Sequence, residues 1–499
     1  MFEYAESDPA LPEKEAKAII RNLRAELLNA QYRFLERQSR SLLILVGGID
    51  GAGKGDTINL LHEWMDPRHI RTIAFEPATQ EDKRFPVAYR FWESLPAKGQ
   101  IGIVFGSGYA PLVSELIKAR PNKRELEQMF ERTRRLEADL VANDVQVIKL
   151  WFHLSKHAQQ ARTRHLLANP STAWKVGPLD LKVPQQYEKM CAAGRQIIDQ
   201  TNMPYAPWII IPAADENMRN ISTGKAVLAA LQARSVRVDP QLDPAPHVRL
   251  GSHHDPLAAL DYKVSLDKTE YKEALLHWQN RLAEAVRHPK FLKHHALILA
   301  FEGQDAAGKG GAIRRLTKAL DARQYRVIPI AAPRQFELNR PYLWRFWKEV
   351  PPHGRITIFD RSWYGRVLVE RVEKLALKRQ WARAYSEINF FEAQLAAHGV
   401  IILKFWLAIT EDEQLKRFEE RQNDPAKKFK ITDEDWRNRS KWSEYETAAI
   451  DMLNLTNTPH APWHVLAANN KRHARVEVVK RAALAIEQAI ENHDRKKTL

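Results

Sequence analysis

Short apolar runs separated by polar, helix-length segments recur along the chain. Leu42–Val46 and Ala296–Phe301 are continuous apolar stretches of strand length, the pattern of strands buried on both faces. Further runs follow the second of them at Arg326–Ile330, Ile356–Phe359 and Val400–Leu407. Ahead of it, Leu275, Leu276, Trp278, Leu282 and Val286 return at roughly helical spacing, which predicts an amphipathic helix. Strands alternating with helices predict a parallel sheet covered on both faces, an α/β fold.

The pattern occurs twice. Gly48-Ile-Asp50-Gly-Ala-Gly53-Lys54-Gly55 returns 255 positions later as Gly303-Gln-Asp305-Ala-Ala-Gly308-Lys309-Gly310. The same offset carries Arg90-Phe91-Trp92 onto Arg345-Phe346-Trp347, Trp151 onto Trp406, and Ala206-Pro207-Trp208 onto Ala461-Pro462-Trp463. A register held so far without a gap means duplicated domains. The stretch from Val238 to Pro256 is rich in Pro and Asp and lacks periodicity, which marks a linker. The expected domains are 1–237 and 262–499, joined by 238–261.

Composition narrows the class. At 499 residues, two cores are expected. A single cysteine, Cys191, excludes an internal disulfide framework and a multi-cysteine metal site. No apolar run approaches the ~20 residues a membrane span needs, and Met1 to Lys17 is acidic rather than basic-then-apolar. A cytoplasmic protein without a membrane partner is expected. The net charge of +16 points to a polyanionic partner or to simple solubility.

The glycine-rich strings carry chemistry. Gly303, Gly308, Gly310 and Gly311 allow backbone N–H groups to turn inward around an anion, Lys309 adds a mobile positive charge, and a helix follows whose N-terminus adds its dipole. The first half repeats the pattern with Asp50 and Lys54. The Ser or Thr that ordinarily follows the lysine and holds Mg²⁺ is Gly310 in one copy and Gly55 in the other. Asp305 inside the loop is the obvious substitute metal ligand, and Asp360, ending the run Ile356-Thr-Ile-Phe359, supplies a second carboxylate. Arg361 beside it can neutralise charge on a transferred phosphoryl group.

Asp305-Ala-Ala-Gly-Lys-Gly-Gly311 together with Phe359-Asp-Arg-Ser-Trp-Tyr-Gly-Arg366, and the preceding Leu343-Trp-Arg-Phe-Trp347, resembles polyphosphate kinase family 2. The tandem form is similar to its polyphosphate:AMP phosphotransferases. The resemblance covers most of 262–499 and, more weakly, 12–235; Gly365 departs from it where Asn is often found. It implies two tandem P-loop kinase-like domains, each with a helical lid, and Mg²⁺-dependent phosphoryl transfer from inorganic polyphosphate to AMP, giving ADP. It places Asp305, Lys309, Asp360 and Arg361 in the active site, with Asp305 and Asp360 on the metal.

A basic cluster follows the last long strand of the second half: Lys416, Arg417, Arg421, Lys427, Lys428 and Lys430. It lies where P-loop kinases carry an arginine-bearing lid, and a linear polyphosphate would need such a strip; a solvated helix face is the plain alternative. Trp363 and Tyr364, directly after the Asp-Arg pair, are expected near the site, whereas Trp344, Trp347 and Trp406 are expected in the core.

Applying the offset to the site separates the halves. Asp360 maps to Phe105, Arg361 to Gly106, Arg421 to Leu166, Lys427 to Thr172 and Lys428 to Ala173. The second half is therefore expected to be catalytic and the first an inactive partner in an internal pseudo-dimer, with further oligomerisation open. Two other readings remain from residues alone: an ATP-dependent nucleotide kinase, and a basic nucleic-acid-binding protein with a relic P-loop. The preferred reading involves no nucleic acid.

Overall fold

The computed structural model of the chain describes residues 1–76, 78–106, 109–118, 120–176, 183–233, 254–425 and 431–498. They form two compact units, each built on one five-stranded parallel sheet. The first sheet contains β1 (Ser41–Gly48), β2 (Ile70–Ala74), β3 (Ile101–Phe105), β4 (Val145–His153) and β5 (Trp208–Pro212), in the order β2-β3-β1-β4-β5. The second contains β6 (Ala296–Gly303), β7 (Tyr325–Pro329), β8 (Ile356–Asp360), β9 (Val400–Ala408) and β10 (Trp463–Ala467), in the order β7-β8-β6-β9-β10. The register repeats with the sequence offset: Leu42 stands opposite Ile101 and Leu297 opposite Ile356.

The first unit's main helices are α1 (Glu13–Arg37), α2 (Lys54–Trp64), α3 (Lys123–Ala142), α4 (Lys156–Ala168), α5 (Val183–Thr201) and α6 (Glu216–Gln232). The second unit's are α7 (Lys268–Ala285), α8 (Lys309–Thr317), α9 (Lys378–Ala397), α10 (Glu411–Gln422), α11 (Asp433–Ser440), α12 (Trp442–Leu455) and α13 (Lys471–Thr498). Their ends follow local chemistry. Asp267 and Glu270 form a reciprocal capping box at the start of α7. Thr410 caps α10, whose first turn is the acidic Glu411-Asp412-Glu413 that the helix dipole favours. The central β6 is buried from Ala296 through Phe301, with α7, α8 and α13 contributing to the cluster around it. Among the described residues no helix is long and apolar enough to cross a membrane.

The compact units are not contiguous in sequence, unlike the halves of the repeat. The first comprises Met1–Ala78, Phe91–Leu242 and Arg334–Trp344; the second comprises Thr79–Arg90, Asp243–Pro333 and Arg345–Leu499. The two exchanged segments begin 255 positions apart. Within the first unit Lys98 N donates to Asn339 O at 2.8 Å, and within the second His353 N donates to Arg84 O at 3.0 Å, a pair related by the same offset. No local pattern tells a short arm which core it will join. Most of the expected linker lies outside the described residues.

One buried polar network recurs in both units. Lys404 Nζ donates to Glu392 at 2.8 Å, to Tyr364 Oη at 2.9 Å and to Thr456 O at 2.6 Å. Lys149 makes the matching bonds to Glu137, Tyr109 and Thr201 O at 2.7, 3.2 and 2.6 Å. A buried lysine is tolerable only when every donor is met, and each network ties a strand to a helix behind the sheet. Tyr364 is thus a fully buried structural residue, and Trp363 donates to Glu392 from the same core. Their expected place beside the reaction is corrected: both point inward, as Tyr109 does in the half lacking the Asp-Arg pair.

Candidate active site

The strands β6, β8 and β9 end side by side, and in such a sheet ligands bind at the carboxyl edge where strand order reverses. After β6 the chain turns through Gly303 (φ 138°), Ala306 (φ 64°) and Gly308 (φ 106°) into α8. A Cβ on Gly303 would lie 2.3 Å from Leu407 O, so only glycine fits there. Lys309 begins the helix and folds back across the loop, donating to Gly303 O at 2.8 Å and Gln304 O at 3.3 Å. Burial lowers its pKa, with Asp305 acting in the opposite direction.

Asp360 ends β8, half-buried, and Arg361 follows in the left-handed region at φ 64°. A non-glycine residue there costs about 1–3 kcal/mol and persists where the surroundings impose it. Here the turn sends the guanidinium to Asp305, with Arg361 Nη2 donating to Asp305 Oδ1 at 3.2 Å. Burial opposes the charge of Arg361, but Asp305 and Glu302 outweigh it and hold the pKa above its ordinary value. The other oxygen of Asp305 accepts from Asn438 Nδ2 on α11 at 2.9 Å. Asn438 Oδ1 in turn accepts from Tyr445 Oη at 3.2 Å, and Tyr445 reaches Glu373, which Lys441 pairs at 2.8 Å. Burial followed by the Glu373 charge raises the Tyr445 pKa, keeping the phenol a donor.

Two hollows meet at these residues. A cavity of about 560 Å³ runs over the glycine loop, lined by seven basic side chains against four acidic ones. A smaller one of about 100 Å³ lies on the other side, walled by Leu368, Val369, Trp406, Trp442 and Tyr445, with Glu434 and Glu446. Asp305 and Arg361 line both.

The structure brings Gly308, Lys309, Gly310, Gly311, Asp305, Asp360, Arg361, Arg421 and the edge of Arg417 to one cavity, and Gly303 to the adjoining one. It places Arg417 differently from a lid residue. Arg417 is only 2% exposed, and it donates to Glu413, Ala306 O, Ala307 O, Ala468 O and Asn469 O. With every N–H engaged, it is a clamp beneath the loop. Lys416 is exposed, and Lys427, Lys428 and Lys430 lie outside the described residues. Sequence reasoning missed Asn438, Arg314, Lys471 and Arg475, which line the hollows. Lys471 and Arg475 carried a signal: basic residues four apart at the start of a helix, where the dipole favours acids.

The first unit uses its loop otherwise. Asp56 stands where Gly311 does, bonding Arg162 and Lys175 at 3.0 Å each. Lys54 pairs with Asp50 at 3.1 Å. Arg219 is buried against the loop, so a Cβ on Gly53 would meet it at 2.8 Å. The charges that would hold a phosphate are here spent on one another.

Comparison with known proteins supplies independent findings. The family model for polyphosphate kinase 2 (PPK2) matches residues 10–239 and 265–495. A protein of Pseudomonas syringae pv. tomato named polyphosphate:AMP phosphotransferase is 44% identical over 500 residues, covering 100% of both chains. Proteins of the same name from Pseudomonas aeruginosa and Acinetobacter johnsonii are 44% and 39% identical, covering 98% and 92% of this chain and 99% and 94% of their own. The crystal structure of a polyphosphate kinase 2 from Pseudomonas aeruginosa superposes with TM-score 0.88 at 42% identity, covering 98% of this chain and 99% of that one.

Proposed function

The chain belongs to the polyphosphate kinase 2 family, and from that premise we propose that its second half transfers a phosphoryl group from inorganic polyphosphate to AMP, giving ADP. One observation carries the assignment of roles: Asp305 and Arg361 line both a basic cavity and an aromatic, acid-edged hollow. A phosphate chain suits the first, where Lys309, Arg314, Arg421, Lys471 and Arg475 supply charge. A nucleoside suits the second, with flat apolar walls and a few polar groups. Glu434 and Asn438, both carried on α11, edge this hollow.

The chemistry is in-line displacement. A phosphate oxygen of AMP, already anionic at neutral pH, attacks the terminal phosphorus of polyphosphate. The bond to the bridging oxygen breaks, and the chain leaves one phosphate shorter with the electron pair. No proton need be removed, so catalysis is positioning and charge stabilisation. Lys309 and the loop N–H groups hold the donor phosphates, and Arg361 faces the charge that spreads between donor and acceptor.

The oxygen donors present fit magnesium. Asp305 and Asp360 offer hard carboxylates beside the loop lysine, in place of the hydroxyl missing at Gly310. When bound there, Mg²⁺ would supply charge neutralisation of the transferring phosphate. We read the first half as a structural partner and the protein as cytoplasmic.

Purified protein supplied with Mg²⁺, polyphosphate and AMP should form ADP while the polymer shortens. Product from ATP but not from polyphosphate would overturn the reading.

A further inference from the structure

Trp151 and Trp406 are equivalents in the repeat, on β4 and β9, yet the two units treat them differently. In the first unit Trp151 is a core residue on every side. Its Nε1 donates to His153 Nδ1 at 3.4 Å, its ring lies edge-on to Trp208, and Phe2 stacks on it at 6.1 Å. It rests on two glycines. A Cβ on Gly47 would meet it at 3.5 Å, and a Cβ on Gly194 of α5 would lie 2.2 Å from Cζ2.

The second unit changes these neighbours together. Gly47 becomes Glu302, His153 becomes Ala408, Cys191 becomes Glu446 and Gly194 becomes Ala449. The methyl of Ala449 excludes the pose that Trp151 takes against Gly194. Ala408 removes the acceptor that satisfies the indole. Trp406 is 5% exposed and lines the smaller hollow, and its Nε1 is buried with no hydrogen-bond partner among the described residues. A buried, unpaired N–H costs about 1–3 kcal/mol and calls for an explanation. The carboxylate of Glu446, half-buried on α12, lines the same hollow where the first unit has a thiol. Donor and acceptor thus stand together in the hollow assigned above to the nucleoside, a reading on which this inference rests.

We propose that Trp406 and Glu446 recognise the base of the acceptor. The indole N–H donates to a ring nitrogen of a 6-aminopurine, and the Glu446 carboxylate accepts from its 6-amino group. A 6-oxopurine presents an oxygen to that carboxylate and is disfavoured, since a site built around one hydrogen-bonding pattern rejects its inverse.

The test uses the full chain carrying Trp406→Phe or Glu446→Gln, with Mg²⁺, saturating polyphosphate and varied AMP or IMP. Trp406→Phe should raise KM for AMP about three- to tenfold, with kcat within about twofold and KM for polyphosphate unchanged. Glu446→Gln, whose amide can donate to O6, should reduce the AMP-over-IMP preference about tenfold. Calorimetric titration of AMP without polyphosphate should weaken in parallel for Trp406→Phe. Unchanged AMP affinity and unchanged base preference would overturn the proposal, as would a shift confined to polyphosphate. Should Trp406→Phe fail to fold, Glu446→Gln, a change on a half-buried helix face, decides alone. A wild-type protein that makes no ADP from polyphosphate and AMP would refute the proposed function instead, which separates the two failures.

Discussion

Gly106 and Arg361 occupy the same corner after the same strand, at φ 61° and 64°. One is the residue that corner prefers, and the other bears a strained backbone to aim a guanidinium at Asp305. Gly51 and Ala306, at φ 78° and 64°, repeat the contrast one loop away. The first unit has relaxed into comfortable residues and filled its phosphate space with Asp56, Arg162 and Arg219. The second keeps strain and an excess of positive charge around the same loop. Features the units share, such as the lysine network behind each sheet, hold the fold. Features present only in the second, such as Asp360-Arg361 and the Asn438–Tyr445–Glu373 relay, point to chemistry, because Val183, Met190 and Lys118 at the matching positions could not form that relay.

The comparison can be broken most directly at the loops. Lys309→Ala or Asp360→Asn should lower kcat/KM for ADP formation by about 10⁴, roughly 5.5 kcal/mol, while Lys54→Ala stays within about twofold. Steady-state assays with polyphosphate check this, and the reverse outcome would exchange the roles of the halves.

Next in size is the shared network. Lys149→Met and Lys404→Met each leave a buried carboxylate without its cation, at a cost of about 3–5 kcal/mol. Denaturant unfolding should show similar losses for both. A loss confined to Lys404→Met would mean that network also serves the site.

Arg361→Gly imports the first unit's solution. It should cut kcat about 10²–10³-fold, yet leave stability within about 1 kcal/mol, since relieved strain offsets added chain entropy. Turnover and thermal midpoint measured together test that trade. A large destabilisation would show the Arg361–Asp305 pair to be structural.

The smallest effect separates the units by pH. Burial, followed by the charge of Arg481, lowers the His464 pKa to about 4, and the first unit has Ile209 at that place. The unfolded chain protonates this histidine near pH 6.5 and the folded one only near 4, so its contribution is lost as pH falls between those values. Allowing for partial exposure, the loss is on the order of 1 kcal/mol. Melting across pH 7 to 4 should show an acid-sensitive component that His464→Ile diminishes.

The amino-acid sequence by itself determined the duplication, the alternation of strand and helix, the glycine loops, and the missing Asp-Arg pair of the first half. Each is a local pattern or a comparison at fixed offset, and neither needs coordinates. Tertiary structure decided what such patterns cannot carry. Arg417 and Arg421 are one turn apart on α10 and both border the cavity, yet Arg417 is locked to loop carbonyls by its hydrogen bonds while Arg421 is not buried. Tyr364 follows the active-site pair in sequence but turns to the core. Asn438 reaches Asp305 across 133 residues. In each case the role depends on which neighbours lie within hydrogen-bond range. That is set by how distant segments pack, which a run of residues does not encode one position at a time.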